Sequence, residues 1–327
     1  MNWPHTRVLI TGAGGFIGSH LTERLVSLGA RTRALVHYNS AGSWGWLDRS
    51  PVKGDVEIVA GDICDPQCVE QAMHGCDVVF HLAALVAIPY SYRAPASYVR
   101  TNIEGSLNIL QSAVSRGVSR TVVTSTSEVY GTPSQLPIRE SHPLQGQSPY
   151  SATKIGADKL AEAFRRSFAL SVRILRPFNT YGPRQSARAV IPTIVTQALA
   201  RQPIRLGHLH PTRDFTFVSD TVDGFIRLAE LETEPDDVVH IGSGEEISIG
   251  DLVRTILGLV GTEEPIVPDP ERERPLQSEV ERLCADTTRA KQLLGWAPRY
   301  SLHDGLRETI EWIRANTDAF RLGTYSV

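Results

Sequence analysis

The sequence predicts an α/β fold, a doubly wound parallel sheet followed by a smaller C-terminal part. Three observations carry this. Short apolar, β-branched runs recur through the first half, helical stretches separate most of them, and a glycine-rich turn joins the first run to the first helix. At 327 residues the chain can bury a large core.

The runs are 7–10, 32–36, 56–59, 78–82, 121–124 and 172–175. After the first, Phe16, Ile17, Leu21, Leu25 and Leu28 repeat at helical spacing until Gly29 stops the helix. Asp65-Pro66 opens a second helix that ends near Gly75, and 96–116 reads as one long helix stopped by Gly117. Beyond Pro177 the alternation breaks into prolines, arginines and short apolar pieces, as expected where a chain leaves its sheet to cover a substrate. Helices then return at 221–230, 248–260, 287–294 and 302–314.

In Val8-Leu9-Ile10-Thr11-Gly12-Ala13-Gly14-Gly15-Phe16-Ile17-Gly18 the glycines fall where a strand must turn into a helix beneath a pyrophosphate. Gly12 makes the turn, Gly15 lets the backbone approach the phosphates, and Gly18 lets helix pack on strand. A second motif is Tyr150-Ser151-Ala152-Thr153-Lys154, with Ser148-Pro149 as helix cap and first-turn proline. Tyr150 and Lys154 share one helical face. A free phenol titrates near ~10, so Tyr150 needs a cation to serve as a base at neutral pH, and Lys154 is placed to be that cation.

A formal charge of -3 gives no basic excess to attract nucleic acid or an acidic membrane. No apolar run is long enough to span a bilayer and residues 1–10 lack a secretory core, so a cytoplasmic location is expected. Cys64, Cys68, Cys76 and Cys284 match no zinc spacing and read as reduced packing residues, with no metal expected. His81 reads as a strand-end core residue.

The loop Thr11-Gly12-x-x-Gly15-x-x-Gly18 and the pair Tyr150-x-x-x-Lys154 together resemble the extended short-chain dehydrogenase/reductase family, over essentially the whole chain. Further matching segments are Gly61-Asp62-Ile63, His81-Leu82-Ala83-Ala84, Thr124-Ser125-Thr126-Ser127-Glu128-Val129-Tyr130-Gly131, Arg176-Pro177-Phe178-Asn179, Arg213-Asp214-Phe215 and Ala285-Asp286. Within that family the segments Asn39-Ser40, 43–48, 145–150 and 182–192 look like NAD-dependent 4,6-dehydratases acting on nucleotide N-acetylhexosamines, of the kind found in legionaminic acid pathways.

The resemblance implies a Rossmann dinucleotide domain over 1–176, to which segments near 214–243 return, and a mainly substrate-binding domain over 177–327. It implies a homodimer through helices 96–116 and 149–167. NAD is the expected cofactor, held by Gly12, Gly15, Phe16, Ile17, Gly18, His37, Asp62, Ile63, Leu82, Ala83, Ala84, Tyr150 and Lys154. NADP stays open, because Val36-His37-Tyr38 offers neither an acid for the ribose diol nor an arginine for a 2'-phosphate.

For catalysis the resemblance points to Tyr150 and Lys154, to Thr126 bridging the sugar oxygen and the phenol, and to Glu128 as general base. Ser127 stands where several dehydratases carry an aspartate. Asn179, Arg213 and Arg274 suit the diphosphate of a nucleotide sugar, Arg184 and Arg188 reach phosphate, base or solvent, and Glu279 holds a ribose hydroxyl or faces water. The expected activity is 4,6-dehydration, with an N-acetylglucosamine nucleotide leading. Decarboxylases sharing Thr-Ser-Glu-Val-Tyr-Gly, 4-epimerases and a non-catalytic dinucleotide-binding scaffold are the alternatives.

Overall fold

A computed structural model describes residues 1–233 and 238–320. Seven parallel strands form its main sheet: β1 (Arg7–Thr11), β2 (Arg31–His37), β3 (Val56–Gly61), β4 (Val78–His81), β5 (Arg120–Thr124), β6 (Val172–Pro177) and β7 (Val239–Ile241). Their spatial order is β7-β6-β5-β4-β1-β2-β3. The first six are the runs read from sequence, five of them extended by one or two residues and β4 one residue shorter. β7 is only three residues long, and it pairs with Leu175, Arg176 and Pro177 of β6.

Strand alternation sends successive side chains to opposite faces. Val8 and Ile10 of β1 join Phe80 and Val122 in a cluster with Leu21, Leu25 and Phe225. Leu9 joins Val79 and Val123 on the other face, against Val69, Ile109 and Ala161. Helix α1 (Phe16–Ser27) therefore lies on one face of the sheet, and α2 (Pro66–Met73), α3 (Gly105–Ser115) and α4 (Pro149–Phe168) on the other. Asp65 caps α2 by accepting the amide protons of Gln67 and Cys68, with Pro66 in the first turn.

The long helix expected over 96–116 is interrupted. Pro95–Tyr98 passes through a π-helical stretch, Val99–Glu104, before α3 begins. Asn102 lies within that wide stretch, and its amide accepts from Leu85 N at 2.8 Å while donating to Leu85 O and Thr153 Oγ1. A helix not expected from sequence, α5 (Val190–Leu199), forms in spite of Pro192, which sits in its first turn where no intrahelical donor is needed. It packs with α7 (Ile249–Val260) and α8 (Leu302–Ala315) into the same apolar cluster through Ile194, Leu252 and Ile313. Between them α6 (Val218–Glu230) returns to the sheet just ahead of β7.

All four cysteines are free thiols. Burial pushes Cys76 up, and Cys284 to about 11. Among the described residues no helix is long and apolar enough to cross a membrane, and no group of His, Cys, Asp and Glu is arranged to hold a metal ion.

Candidate active site

The order of the sheet reverses at β1, which pairs with both β2 and β4, and a crevice opens there beyond the strand C-termini. It contains a cavity of about 880 Å³. Gly12, His37, Asp62, Ile63, Leu82, Ala83 and Ala84 line it from the ends of β1 to β4, and Thr124, Thr126, Tyr150 and Asn179 from the other half of the sheet.

Three glycines of the loop have a structural reason. Gly12 has φ +70°, and a Cβ there would lie 2.8 Å from Ala83 N and 2.9 Å from its Cα. A Cβ on Gly18 would collide with the Gly12 carbonyl and approach Ala13 Cα to 2.9 Å. Gly15 is the N-cap of α1 and brings no side chain to the helix end, so the amides of that first turn meet the cavity without a protein acceptor. A narrow backbone cradle ending in a helix N-terminus fits a dinucleotide pyrophosphate. Thr11 underpins it by accepting from Leu82 N and Ala83 N at 3.2 and 3.1 Å. The Thr11 hydroxyl also meets His81 Nδ1 at 2.8 Å, and His81 Nε2 meets Ser106 Oγ at 2.9 Å. His81 is thus a buried strand-end residue, pushed down to about 3 by burial and then by the Lys154 charge.

On the other side, Ser148 and Ser151 form a capping box, and Pro149 starts α4 with Tyr150 next. Three successive turns of this helix meet three successive residues at the end of β5, Thr124 to Thr126. Tyr150 hydrogen-bonds Thr126. Lys154 Nζ donates to the Thr124 carbonyl at 2.6 Å, and Ser125 Oγ donates to Asp158 Oδ2 at 2.7 Å. Arg176 completes the anchor, donating to Asp158 Oδ2 at 2.6 Å and to the Tyr130 hydroxyl at 2.5 Å.

The expected lowering of the phenol by Lys154 is not what this environment produces. Burial pushes the Tyr150 phenol up, opposed by the Thr126 hydrogen bond and reinforced by the negative Glu128. Lys154 is buried behind the cavity wall, with its ammonium on the Thr124 carbonyl. Burial lowers its pKa and the Asp158 carboxylate raises it.

Two other expected residues point elsewhere. Ser127 is buried and does not line the cavity, because the 3-10 turn Ser127–Tyr130 turns it inward while Glu128 lines the cavity. Arg184 has φ +70° and pairs with Glu23 of α1 at 2.8 Å, also reaching Ser19, so a local carboxylate claims it. Arg188 does line the cavity.

At the far end, Arg213 Nη2 lies 3.1 Å from Glu279 Oε1, and Arg274 Nη1 lies 3.5 Å from Glu128 Oε1 and 3.7 Å from Glu279 Oε1. The fully buried Asp214 fixes the backbone that carries this cluster by accepting from Ser243 N and Oγ at 2.6 Å and from Gly244 N and Ala285 N at 3.0 Å. Sequence reasoning missed His208, whose Nδ1 is 3.8 Å from Glu279 Oε2, and Gln185, both in the cavity wall. It also missed the Asp158–Arg176 anchor. Asp158 stood four residues past Lys154 as a readable hint, whereas His208 carried no local pattern.

A dinucleotide cradle at the sheet's switch point, facing a Thr-Tyr pair backed by lysine, defines an extended short-chain dehydrogenase/reductase. The chain belongs to the GDP-mannose 4,6 dehydratase family, whose profile matches residues 9–309. It is 34% identical to a dTDP-glucose 4,6-dehydratase of Streptomyces antibioticus over 94% of this chain and 92% of that one. It is 33% identical to a UDP-glucose 4-epimerase of Mycolicibacterium smegmatis over 94% and 98%. The dTDP-glucose 4,6-dehydratase of Streptomyces venezuelae, solved with NAD bound, superposes with a TM-score of 0.87 at 31% identity, covering 96% of this chain and 99% of that one.

Proposed function

We propose that the protein is an NAD-dependent nucleotide-sugar 4,6-dehydratase, with a nucleotide-linked N-acetylglucosamine as the leading substrate. The observation that carries the reaction type is Glu128, a carboxylate on the cavity wall beside the Thr126–Tyr150 pair. Hydride removal and return at C4, as in a 4-epimerase, needs no second base. Elimination across C5 and C6 does.

NAD would lie along the glycine cradle, and its part is to accept the C4 hydride and later return it to C6. Tyr150, in its deprotonated form, takes the proton of the C4 hydroxyl, with Thr126 fixing its oxygen, and the resulting ketone acidifies C5–H. Glu128 removes that proton. The C5–H electron pair forms the C5–C6 double bond as the C6 hydroxyl departs, and Glu128 passes the proton to it so that water leaves. The proton held by Tyr150 goes to C5 when C6 regains hydride. One water is lost and no net oxidation occurs. Asn179, Arg213 and Arg274 are assigned to the diphosphate, Glu279 to a ribose hydroxyl, and Arg188 to the outer wall. The division of labour follows the chain, with 1–176 plus the returning segments holding NAD and most of 177–327 holding the sugar nucleotide. A homodimer would use the outer surface of 95–115 and of α4, where Val99, Val114 and Phe168 are exposed.

The 4-epimerase reading is kept alive by Ser127, a buried serine where several dehydratases carry an aspartate, so that Glu128 has no second acid beside it. The test is product mass after incubation with NAD and UDP-, GDP- or dTDP-linked hexoses. Loss of one water supports dehydration, an isomeric product of unchanged mass would replace it with epimerisation, and loss of carbon dioxide from a glucuronate would replace it with decarboxylation.

A further inference from the structure

Arg274 Nη1 is buried and has no hydrogen-bond partner, although two carboxylates flank it. At 3.5 and 3.7 Å its distances to Glu128 and Glu279 give charge pairing without a well-formed hydrogen bond. A buried N–H left in this state is costly, and an incoming oxyanion would relieve it. Arg213, Arg274, Glu128 and Glu279 formally cancel. A diphosphate adds at least two negative charges to this neutral set, so it competes with the carboxylates for a guanidinium. Glu279 keeps Arg213 at 3.1 Å and has His208 nearby. Glu128 has its ion pair with Arg274.

We propose that Arg274 is a charge switch on Glu128: the diphosphate of the bound nucleotide sugar takes Arg274, and Glu128, losing its ion-pair partner and left with Arg213 alone as counter-charge, becomes a stronger base once the sugar is in place. This rests on the nucleotide-sugar reading above. The groups that set the charge at Glu128 are Arg274 and Arg213, Tyr150 from α4, and Glu279 and His208 behind Arg274. Of these, Arg274 is the cation the ligand moves. The effect is order: the base gains strength after the phosphates engage, and an unliganded cleft keeps its carboxylate paired. By reciprocity Glu128 and the diphosphate compete for one guanidinium, so each weakens the other's hold on it.

The switch is tested by calorimetric titration of NAD-loaded protein with UDP, GDP and dTDP near pH ~6, in two buffers of different ionisation enthalpy, which counts protons taken up on binding. The wild type is expected to take up more protons than Glu128→Gln, and the variant is expected to bind the diphosphate about tenfold more tightly, the equivalent of one pKa unit of coupling. The nucleotide's own phosphate ionisation is common to both proteins, so the difference isolates Glu128. Arg274→Gln should bind more weakly and lose the dependence of proton uptake on residue 128. Equal proton counts in wild type and Glu128→Gln, with diphosphate bound by both, would overturn the switch alone. Failure of every nucleoside diphosphate to bind the wild type would overturn the nucleotide-sugar reading and the switch together.

Discussion

Ser125 Oγ donates a 2.7 Å hydrogen bond to Asp158 Oδ2 in the protein interior, two helical turns past Tyr150. Because Thr124 holds Lys154 and Thr126 holds Tyr150, the tripeptide that ends β5 registers three turns of α4 at once. Ser125 touches neither the phenol nor the ammonium and acts on their alignment.

Ser125→Ala should therefore lower kcat about tenfold with KM nearly unchanged, since small misplacements of a catalytic group cost rate more than binding. It should also destabilise the fold by about 1 kcal/mol through the lost bond. A steady-state comparison with urea unfolding checks both. Ser125→Thr, which restores the hydroxyl, should recover most of the rate.

Gly12→Ala tests the cradle. The substitution meets both a left-handed backbone, φ +70°, and a Cβ contact of 2.8 Å with Ala83 N. Backbone strain of this kind costs about 1–3 kcal/mol. The variant should lose measurable NAD affinity by calorimetry while keeping the α/β circular dichroism spectrum.

Much of this architecture was legible because it depends on local chemistry. Six β-branched runs became strands, Asp65-Pro66 and Ser148-Pro149 became helix starts, and the glycine spacing became the cradle. What sequence could not supply was partnership at long range. Arg184 looked available for phosphate because Glu23, which holds it, lies 161 residues away. Lys154 sits one turn from Tyr150, yet its ammonium bonds the Thr124 carbonyl, a strand-end acceptor that no helical spacing reveals. The π-helical stretch around Asn102 depends on the Leu85 backbone, again a contact made by folding.

Tyr150→Phe should reduce turnover by at least about 10²- to 10⁴-fold, the usual contribution of a positioned proton acceptor. NAD binding should survive, because the cradle is on the opposite wall. Burial raises the Tyr150 phenol, so its deprotonated form is favoured by higher pH. The C4 oxidation step of the wild type should accordingly accelerate as pH rises across the alkaline range in which the protein stays folded. Single-turnover absorbance of the reduced cofactor, followed against pH, measures it.

Acid should unfold this protein early, chiefly through two histidines, with His20, also lowered by burial, adding in the same direction. Burial pushes both His81 and His240 down to about 3, aided by the positive Lys154 for the first and Arg176 for the second. The Tyr130 hydroxyl, which accepts from Arg176, meets His240 Nε2 at 2.5 Å and suits a neutral ring. In the unfolded chain each imidazole protonates near ~6.5. Below that pH the unfolded state binds two protons that the folded state refuses, so stability falls as pH drops from ~6.5 toward about 3. The slope is roughly 1.4 kcal/mol per pH unit for each histidine, or about twice that for the pair. Glu140, which burial raises, acts with the opposite sign, so the measurement belongs above pH ~5, where carboxylates contribute least. Urea midpoints between pH ~7 and ~5 should show this decline, and His81→Gln should remove about half of it. A midpoint that stays flat across that window would mean that these imidazoles accept protons inside the fold.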